Sequence, residues 1–597
     1  MAKQLLMGNE AIALGAIRAG VTVVTGYPGT PSTEVLETVA KHNDGGIYVE
    51  WSVNEKCALE VAAGAAYAGA RALVTMKQVG LNVASDPLMS LNYVGVKAGM
   101  VIVVADDPGP ISSQTEQDTR HFGQFAKLVV FDPSTPEEAY EMISDAFDYS
   151  EKIGRPVLFR PTTRVCHSCA SVDVDETAVP RSLPEGFIKN SRFVIFPRLA
   201  YSNHILIEET LVKLSDAFSD YRFNTLTGKG KRGIAAGGVS ACYAEEALSN
   251  VKTPHKYMKI STYPFPEKLA EAFLNGLEEV LVIEELDPVI EQALISLCGK
   301  RGIRVSIKGK RSYDIPNAGE NTANGVAKAI RLFLCEEGEK EETLPLPPLP
   351  VRLPTLCAGC PHRASFFAVK EATKKRKAVY SGDIGCYTLG NSMPLNMVDT
   401  CLCMGAGITI AQGLQRIEPD ALHFAFIGDA TFFHSGITGL INAVYNETDI
   451  IAVVLDNATT AMTGNQPHPG TGKTMMNRIS EKMSIPAILS AIGVKKIVRA
   501  NPFDLAVAKK AVEAVMDEKG VRVILYEAPC IAVKKSGEAL MVDSGKCVGC
   551  TLCIQILGCP ALSMNDGKAE INKTLCTGCG LCAQVCAPKA IGGMKPC

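Results

Sequence analysis

Between His423 and Asn457, two short apolar runs, HFAFI and IIAVVL, each end in a polar pair, Gly428-Asp429 and Asp456-Asn457. The intervening segment has helical periodicity from about Ser435 to Asn446, so the stretch reads as one strand–helix–strand unit. Continuous apolar strands joined by a helix are parallel neighbours. Asp429 and Asn457 should then emerge side by side at the carboxyl edge of a sheet, where open α/β sheets bind ligands. One carboxylate and one amide oxygen, completed by waters and phosphate oxygens, suit an octahedral Mg²⁺ holding a diphosphate. An ordinary βαβ unit with polar loops has the same local pattern, so the choice falls to other regions.

Cysteines supply the second chemistry. Near the C-terminus, Cys547, Cys550 and Cys553 are followed by a five-residue spacer and Cys559-Pro560; Cys576, Cys579 and Cys582 are followed by a three-residue spacer and Cys586. This twofold repeat resembles the bacterial ferredoxin run, in which three closely spaced thiolates hold one iron–sulfur cube and the fourth crosses to the other. The register assigns Cys547, Cys550, Cys553 and Cys586 to one [4Fe–4S] cluster and Cys576, Cys579, Cys582 and Cys559 to a second. The spacer of five in place of three, and Ala587 before the proline of the second half, depart from the pattern without removing a ligand. A zinc ribbon is the competing reading, and eight cysteines in this register argue against it.

These groups need several domains to position them. A chain of 597 residues is too long for one core, and three or four domains of about 150 residues are expected. A net charge of −3 gives no reason to expect nucleic acid or an anionic membrane as partner. The N-terminal MAKQLLMGNEAIALGAIRAG reads as an amphipathic helix carrying Glu10 and Arg18, neither a signal peptide nor a membrane span. With 21 cysteines and no secretion signal, metal binding in a reducing cytoplasm is the better expectation than disulfides.

The first domain, 1–180, alternates helices with candidate strands TVVTGYP, GIYVEW, RALVTM, MVIVVAD, LVVFD and PVLFRP, a doubly wound α/β layout. Tyr27-Pro28-Gly29-Thr30-Pro31-Ser32 forms a rigid loop before a helix over Thr33 to His42, with Ser32 a possible N-cap. Glu55 opens an alanine-rich helix, where it would at least favour the helix dipole. Gln117 to His121 reads as a polar loop, and Arg120 within it either makes a surface salt bridge or grips a carboxylate bidentately. Cys166 and Cys169, lacking a second pair close in sequence, are expected to be structural. After a break at Pro180 to Pro184, residues 181–340 repeat the strand–turn–helix plan in GIAAGGVSACYAEEAL and EVLVIEELDPVIEQAL, without GxGxxG spacing. The acidic, then proline-rich CEEGEKEETLPLPPLPVRLP is a linker. A third domain, 350–535, contains the opening stretch, and 538–597 is the cysteine-repeat domain.

Gly-Asp, a helical spacer, then Asn resembles the diphosphate motif of thiamine-diphosphate enzymes. Ala430 stands where that motif usually has glycine and Asp456 where it usually has asparagine. Both departures occur in the 2-oxoacid:ferredoxin oxidoreductases, whose YPxTPS substrate loop is similar to residues 27–32 and whose cofactor-facing turn resembles Lys77-Gln78-Val79-Gly80-Leu81-Asn82. The resemblance extends over essentially the whole chain. It implies a pyrimidine-binding first domain, a transketolase C-terminal-like second domain, a diphosphate- and Mg²⁺-binding third domain, and a two-cluster ferredoxin domain.

For individual residues, the resemblance implies that Glu55 faces the aminopyrimidine and promotes C2 deprotonation, and that Thr30 lies beside the oxoacid. Arg120 is the candidate for the substrate carboxylate. Gly428, Asp429, Ala430, Asn457, Thr459 and Gly464 would surround the cofactor, with Asp429, Asn457 and the Thr459 carbonyl on Mg²⁺ and the glycine-rich ATTAMTGNQPHPGTG loop folded over the diphosphate. Cys357, Cys360, Cys386 and Cys530 fill the places of a third, proximal [4Fe–4S] cluster, with Cys401 and Cys403 as alternative ligands or buried bystanders.

The reaction so implied is oxidative decarboxylation of a 2-oxoacid, an arylpyruvate in the branch most similar to this chain. Coenzyme A takes the acyl group, an external ferredoxin takes the electrons, and a β subunit completes an α2β2 heteromer in the cytoplasm. The rivals are a non-oxidative thiamine-dependent decarboxylase or carboligase, and an electron-transfer subunit without catalysis of its own.

Overall fold

The computed structural model describes residues 2–175, 184–336, 347–350, 353–534 and 537–593. The chain divides into two compact units, Met1–Leu344 and Pro345–Cys597. Each takes in two of the four expected domains. The break at 180–184 and the acidic–proline linker fall largely outside the described residues, as do two residues at the 535–538 boundary.

In the N-terminal unit all six expected strands lie in one seven-stranded sheet, ordered Thr262–Tyr263, Val129–Phe131, Val157–Phe159, Met100–Ala105, Ala72–Lys77, Val23–Gly26, Tyr48–Trp51. The neighbours are parallel except Thr262–Tyr263, an antiparallel edge strand contributed by the second region. A second, five-stranded sheet runs Ser306–Lys308, Glu279–Ile283, Arg232–Gly237, Lys256–Ile260, Thr225–Gly228. Parallel strands buried on both faces explain the unbroken apolar runs. The buried core continues from Val74 and Ile102 of the first sheet to Met258 and Val282 of the second.

Three expectations need correction here. The N-terminal amphipathic stretch is a strand, Ala2–Met7, paired antiparallel with Cys169–Val174, before its helix Gly8–Arg18 begins. The Glu10 carboxylate accepts from the Met7 N–H at 2.9 Å and marks the true helix start. Ser32 does stand at the N-cap of helix Thr33–Lys41, but its side chain makes no capping bond; its hydroxyl donates back to the Gly29 carbonyl at 2.9 Å. Gln117 to His121 is not all loop: Asp118 caps a helix, Thr119–Ala126, by accepting from the Arg120 N–H at 3.0 Å.

A buried ion network welds the two sheets. Arg160 pairs with Asp106 at 2.7 Å and Asp132 at 3.2 Å, and Arg120 pairs with Asp118 at 2.5 Å and with Glu284, from the second sheet, at 2.8 Å. Burial works against the Asp118 charge, but Arg120 and Arg160 outweigh it and hold that carboxyl below its ordinary range. Glu284 also accepts from the Ile290 and Glu291 N–H groups, which ties the network to helix Val289–Arg301.

The C-terminal unit is built on a fully parallel five-stranded sheet, Ala378–Ser381, Leu422–Gly428, Ile450–Asp456, Val521–Glu527, Lys496–Ala500. Its ferredoxin-like end has two small antiparallel ribbons, Met541–Val542 with Ile591–Gly592 and Leu562–Asn565 with Lys568–Ile571. Among the described residues no helix is long and apolar enough to cross a membrane.

Glu285, beside the ion network, is raised to about 7 by burial, against the pull of the Asn321 N–H and Lys310. Its folded-state value thus lies above the ordinary 4.5. Its stabilising contribution is complete below about pH 4.5 and is lost as the pH rises through about 7. Glu285→Gln should raise the melting temperature at pH 8, by an amount equivalent to at most ~3 kcal/mol, and the gain should shrink towards pH 5 in thermal denaturation scans.

Candidate active site

In the N-terminal unit the chemistry-bearing residues gather at the carboxyl ends of adjacent strands. Glu55 begins helix Glu55–Tyr67, whose N-cap Asn54 accepts from the Cys57 N–H at 2.9 Å. The Glu55 side chain lies buried against Gly80, where a Cβ would come within 2.6 Å of the carboxylate, so only glycine leaves room for it. Thr30 is half-buried in its loop, and the Thr30 carbonyl accepts from the Ser112 hydroxyl at 3.2 Å. Lys77, at the end of its strand, donates to the Ser112 carbonyl at 3.0 Å and makes no ion pair among the described residues. Burial lowers its ammonium pKa, with Asp107 and Glu55 pulling the other way. Next to it, Gln78 is wholly buried, and its amide oxygen has no hydrogen-bond partner among the described residues.

Arg120 is not available for a substrate carboxylate. It is 1% exposed, and its guanidinium N–H groups are taken by Asp118, Glu284, the Tyr263 hydroxyl and the carbonyls of Glu285 and Asp287. The reason lies at long range: most of those acceptors are more than 140 residues away, and local spacing cannot reveal them. Cys166 is buried in a short helix, while Cys169 is exposed on the N-terminal ribbon.

In the C-terminal unit Gly428 pairs with Leu455 across parallel strands, so Asp429 and Asn457 emerge together at the sheet edge. Asp429 has no exposed surface. Its carboxylate accepts from the N–H groups of Ala430 at 2.8 Å, Asn457 at 3.1 Å and Ala458 at 2.8 Å, and from His468 Nε2 at 3.1 Å. Burial pushes its carboxyl up, but His468 and the Ala430 N–H outweigh that and hold it below the usual range. Because His468 Nδ1 accepts from the Gly470 N–H, its proton sits on Nε2, facing Asp429. His468 lies in the glycine-rich loop and thereby pins that loop to the sheet edge. Gly464 in the same loop has φ +121°, which favours glycine.

Asn457 is equally constrained. Its Nδ2 donates to His362 Nε2 at 3.1 Å, and its Oδ1 accepts from the Thr459 N–H at 3.1 Å. Burial pushes His362 down to about 4, so the ring is neutral and able to accept. Asp383, also wholly buried, accepts from the N–H groups of Ile384, Gly405 and Gly428 and joins three loops beneath the pair. His362, Asp383 and His468 lie in segments read from the sequence only as motif neighbours, and nothing in their local spacing distinguishes them. The helix expected over Ser435 to Asn446 is Ile437–Tyr445, preceded by a π-helical turn, Phe432–Gly436.

The cysteines group as the register requires. Cys547, Cys550, Cys553 and Cys586 line one cavity; Cys559, Cys576, Cys579 and Cys582 line another. The sulfurs surround space instead of converging on a point, and among the described residues no three such ligands gather closely enough for a single ion. Four thiols around a cavity fit a cube. Cys357, Cys360, Cys386 and Cys530 are also neighbours: burial, then the proximity of Cys530 and Cys357, pushes the Cys386 thiol up to about 11, while burial and Cys386 raise Cys360 to about 12. Cys401 and Cys403 face Thr388 and Asp383 instead, and both are exposed.

Gly428 is tested directly by the packing, because a Cβ there would overlap the Tyr387 hydroxyl and ring. Gly428→Ala should cost about 1–3 kcal/mol, read as a lowered melting temperature of the C-terminal unit.

Residues 14–194 match the family "Pyruvate flavodoxin/ferredoxin oxidoreductase, thiamine diP-bdg", 383–525 match "Thiamine pyrophosphate enzyme, C-terminal TPP binding domain", and 569–591 match "4Fe-4S binding domain". Indolepyruvate oxidoreductase subunit IorA of Methanothermobacter thermautotrophicus is 40% identical over 99% of this chain and 97% of its own length. The subunit of the same name from Pyrococcus abyssi is 39% identical over 95% of this chain and 93% of its own. Among solved structures, the 2-oxoglutarate:ferredoxin oxidoreductase of Magnetococcus marinus is 19% identical, with a TM-score of 0.43 over 56% of this chain and 65% of that one. With thiamine-diphosphate and 4Fe–4S binding domains in this order, and with that identity over nearly its whole length, the chain belongs to the family of indolepyruvate oxidoreductase subunits IorA.

Proposed function

We propose that the chain is the thiamine-bearing, electron-carrying subunit of an enzyme that oxidatively decarboxylates arylpyruvates to aryl-acetyl-CoA and passes the electrons to ferredoxin. The observation that carries this reading is the presence of a diphosphate-type carboxylate–amide pair and three sets of four cysteines in one compact unit. Bound thiamine diphosphate supplies the carbanion chemistry that releases CO₂ from a 2-oxoacid, and [4Fe–4S] clusters carry the two electrons away singly.

The chain's own residues have distinct parts in this. Asp429, Asn457 and the Thr459 carbonyl would hold a Mg²⁺ that carries the diphosphate. His468 orients the Asp429 carboxylate, and His362, by accepting from Nδ2, turns the Asn457 amide oxygen the other way. Gly428, Ala430 and Gly464 would lie around the diphosphate, Gly428 by admitting Tyr387 beside it and Gly464 by its positive φ. Glu55 would hydrogen-bond the aminopyrimidine of the bound cofactor and hold a proton there. Thr30 would lie along the oxoacid, and Lys77, beside the same loop and without an ion-pair partner among the described residues, would bind its carboxylate in place of Arg120. Cys357, Cys360, Cys386 and Cys530 would hold a proximal cluster, and the two ferredoxin-type sets would hold one each. Coenzyme A accepts the acyl group, and a β subunit joins the chain in an α2β2 assembly in the cytoplasm.

The assay is anaerobic: the complex with its β subunit, indolepyruvate or phenylpyruvate, coenzyme A and oxidised ferredoxin. Ferredoxin reduction dependent on coenzyme A is expected. Release of CO₂ without electron transfer would instead make this a non-oxidative decarboxylase. Glu55→Gln should lower kcat by about 100-fold or more; unchanged turnover would leave the chain a mere electron carrier. Asp429→Ala should abolish thiamine-diphosphate binding in calorimetry. Lys77→Met should raise KM for the oxoacid about tenfold or more with a smaller effect on kcat.

A further inference from the structure

Arg363 is a buried cation without a counter-ion. It is 4% exposed and makes no ion pair among the described residues. Its terminal nitrogens donate only to carbonyls: Nη1 to Leu557 and, at 2.8 Å, to Gly558; Nη2 to Leu356 and, at 3.5 Å, to Cys357. Its Nε, also buried, has no acceptor. Burying an unpaired guanidinium costs several kcal/mol, so a partner carrying negative charge is missing from this list. The surroundings say which one. Arg363 lines the cavity of Cys559, Cys576, Cys579 and Cys582, and Cys360 of the proximal set lines the same cavity. The groups that act most strongly on the guanidinium charge are the thiols of Cys559, Cys360, Cys357 and Cys579, two from each set.

The same contacts account for the lengthened spacer. The five residues between Cys553 and Cys559 include Leu557 and Gly558, whose carbonyls Arg363 holds. The Leu557 side chain is wholly buried in the core of the diphosphate-binding sheet, among Phe366, Leu395 and Tyr526. On the other side of the junction, Gly359 lies so close to Thr577 that a Cβ would overlap its hydroxyl, and the Thr577 carbonyl accepts from the Gly537 N–H at 2.9 Å. Three residues would complete a ferredoxin run; the extra length reaches into the neighbouring core. The second cavity, that of Cys547, Cys550, Cys553 and Cys586, has none of these neighbours and is flanked by exposed Val548 and Leu552.

We propose that Arg363 and the spacer Ile554–Gly558 form the electron junction of this chain: they place the Cys559–Cys576–Cys579–Cys582 cluster next to the proximal one, and the Arg363 charge raises the potential of that inner cluster. Resting on the redox reading above, the step is a one-electron transfer. The reduced proximal cluster is oxidised, the inner cluster is reduced, and no bond or proton moves. The 2-oxoacid with coenzyme A is the reductant, and a low-potential iron–sulfur protein is the final oxidant. A cluster bearing four thiolates is negative and becomes more so on reduction, so a fixed cation alongside favours the reduced form.

The test is an anaerobic dithionite titration of the full cluster-loaded chain, followed by electron paramagnetic resonance, with iron and sulfide assayed in parallel. It uses no oxoacid, so its outcome stands apart from the substrate reading. Arg363→Met, of similar reach and no charge, should keep its iron, shift the inner cluster to a more negative midpoint and leave the outer one where it was. An unchanged inner midpoint, or an equal shift of both clusters, overturns the proposal. If Arg363→Met loses iron, Arg363→Lys decides. Recovery of iron and of the wild-type midpoint with lysine supports the charge role, whereas a lysine variant equally empty of iron reduces Arg363 to a tether and sinks the electrostatic role.

Discussion

A carboxylate held charged at the end of a buried strand is the constraint around which the C-terminal unit is arranged. Asp429 is out of contact with solvent, and such a group keeps its charge only if fixed donors replace water. Three main-chain N–H groups and the His468 imidazole do so. The donors come from the turn after one strand, the turn after its parallel neighbour, and the glycine-rich loop. The carboxylate therefore fixes strand register, loop position and the place of Asn457 at once. Asp383 repeats the device one strand away by gathering N–H groups from three separate segments. Preorganisation of this kind suits a site for a divalent cation, because the oxygen ligands stand in place before the ion arrives.

Charge is buried elsewhere in the chain for a different purpose. In the N-terminal unit Arg120 and Arg160 are matched by Asp106, Asp118, Asp132 and Glu284, and the network closes on itself between two sheets. It is a fastening, and its saturation keeps it out of chemistry. Arg363 differs in having only carbonyls around it and one N–H without an acceptor. Saturated and unsaturated buried arginines look alike in a sequence, and their partners alone tell them apart.

The C-terminal cysteine segment is not a ferredoxin hung on a tether. Leu557 and Leu581 belong to the core of the diphosphate-binding sheet, and Gln584 exchanges hydrogen bonds with Leu505 and Phe503 of that domain. Electron transfer falls off steeply with distance, so a rigid seat would suit the cluster proposed for the Cys559–Cys576–Cys579–Cys582 set. The outer cavity, beside exposed apolar side chains, is left towards solvent.

Much of this was legible beforehand, because strongly periodic local patterns carry it. Apolar runs ending in Asp429 and Asn457 imply parallel strands and a shared edge, and the eight C-terminal cysteines imply their grouping, since spacing alone restricts which thiolates reach one cube. Glu55 was legible as the residue that opens an alanine-rich helix, but its contact with Gly80, in a separate segment, was not. The tertiary structure alone decided the rest. It turned the first residues of the chain into a ribbon strand by supplying Cys169–Val174 as partner. It removed Arg120 from the substrate by surrounding it with acceptors from the second sheet, and it made His362 and His468 the supports of Asn457 and Asp429. It also showed that the odd spacer reaches Arg363. Sequence encodes periodicity and short spacings directly, because covalent geometry enforces them. Which charge meets which across a hundred residues depends on how the sheets pack, and no local pattern contains that.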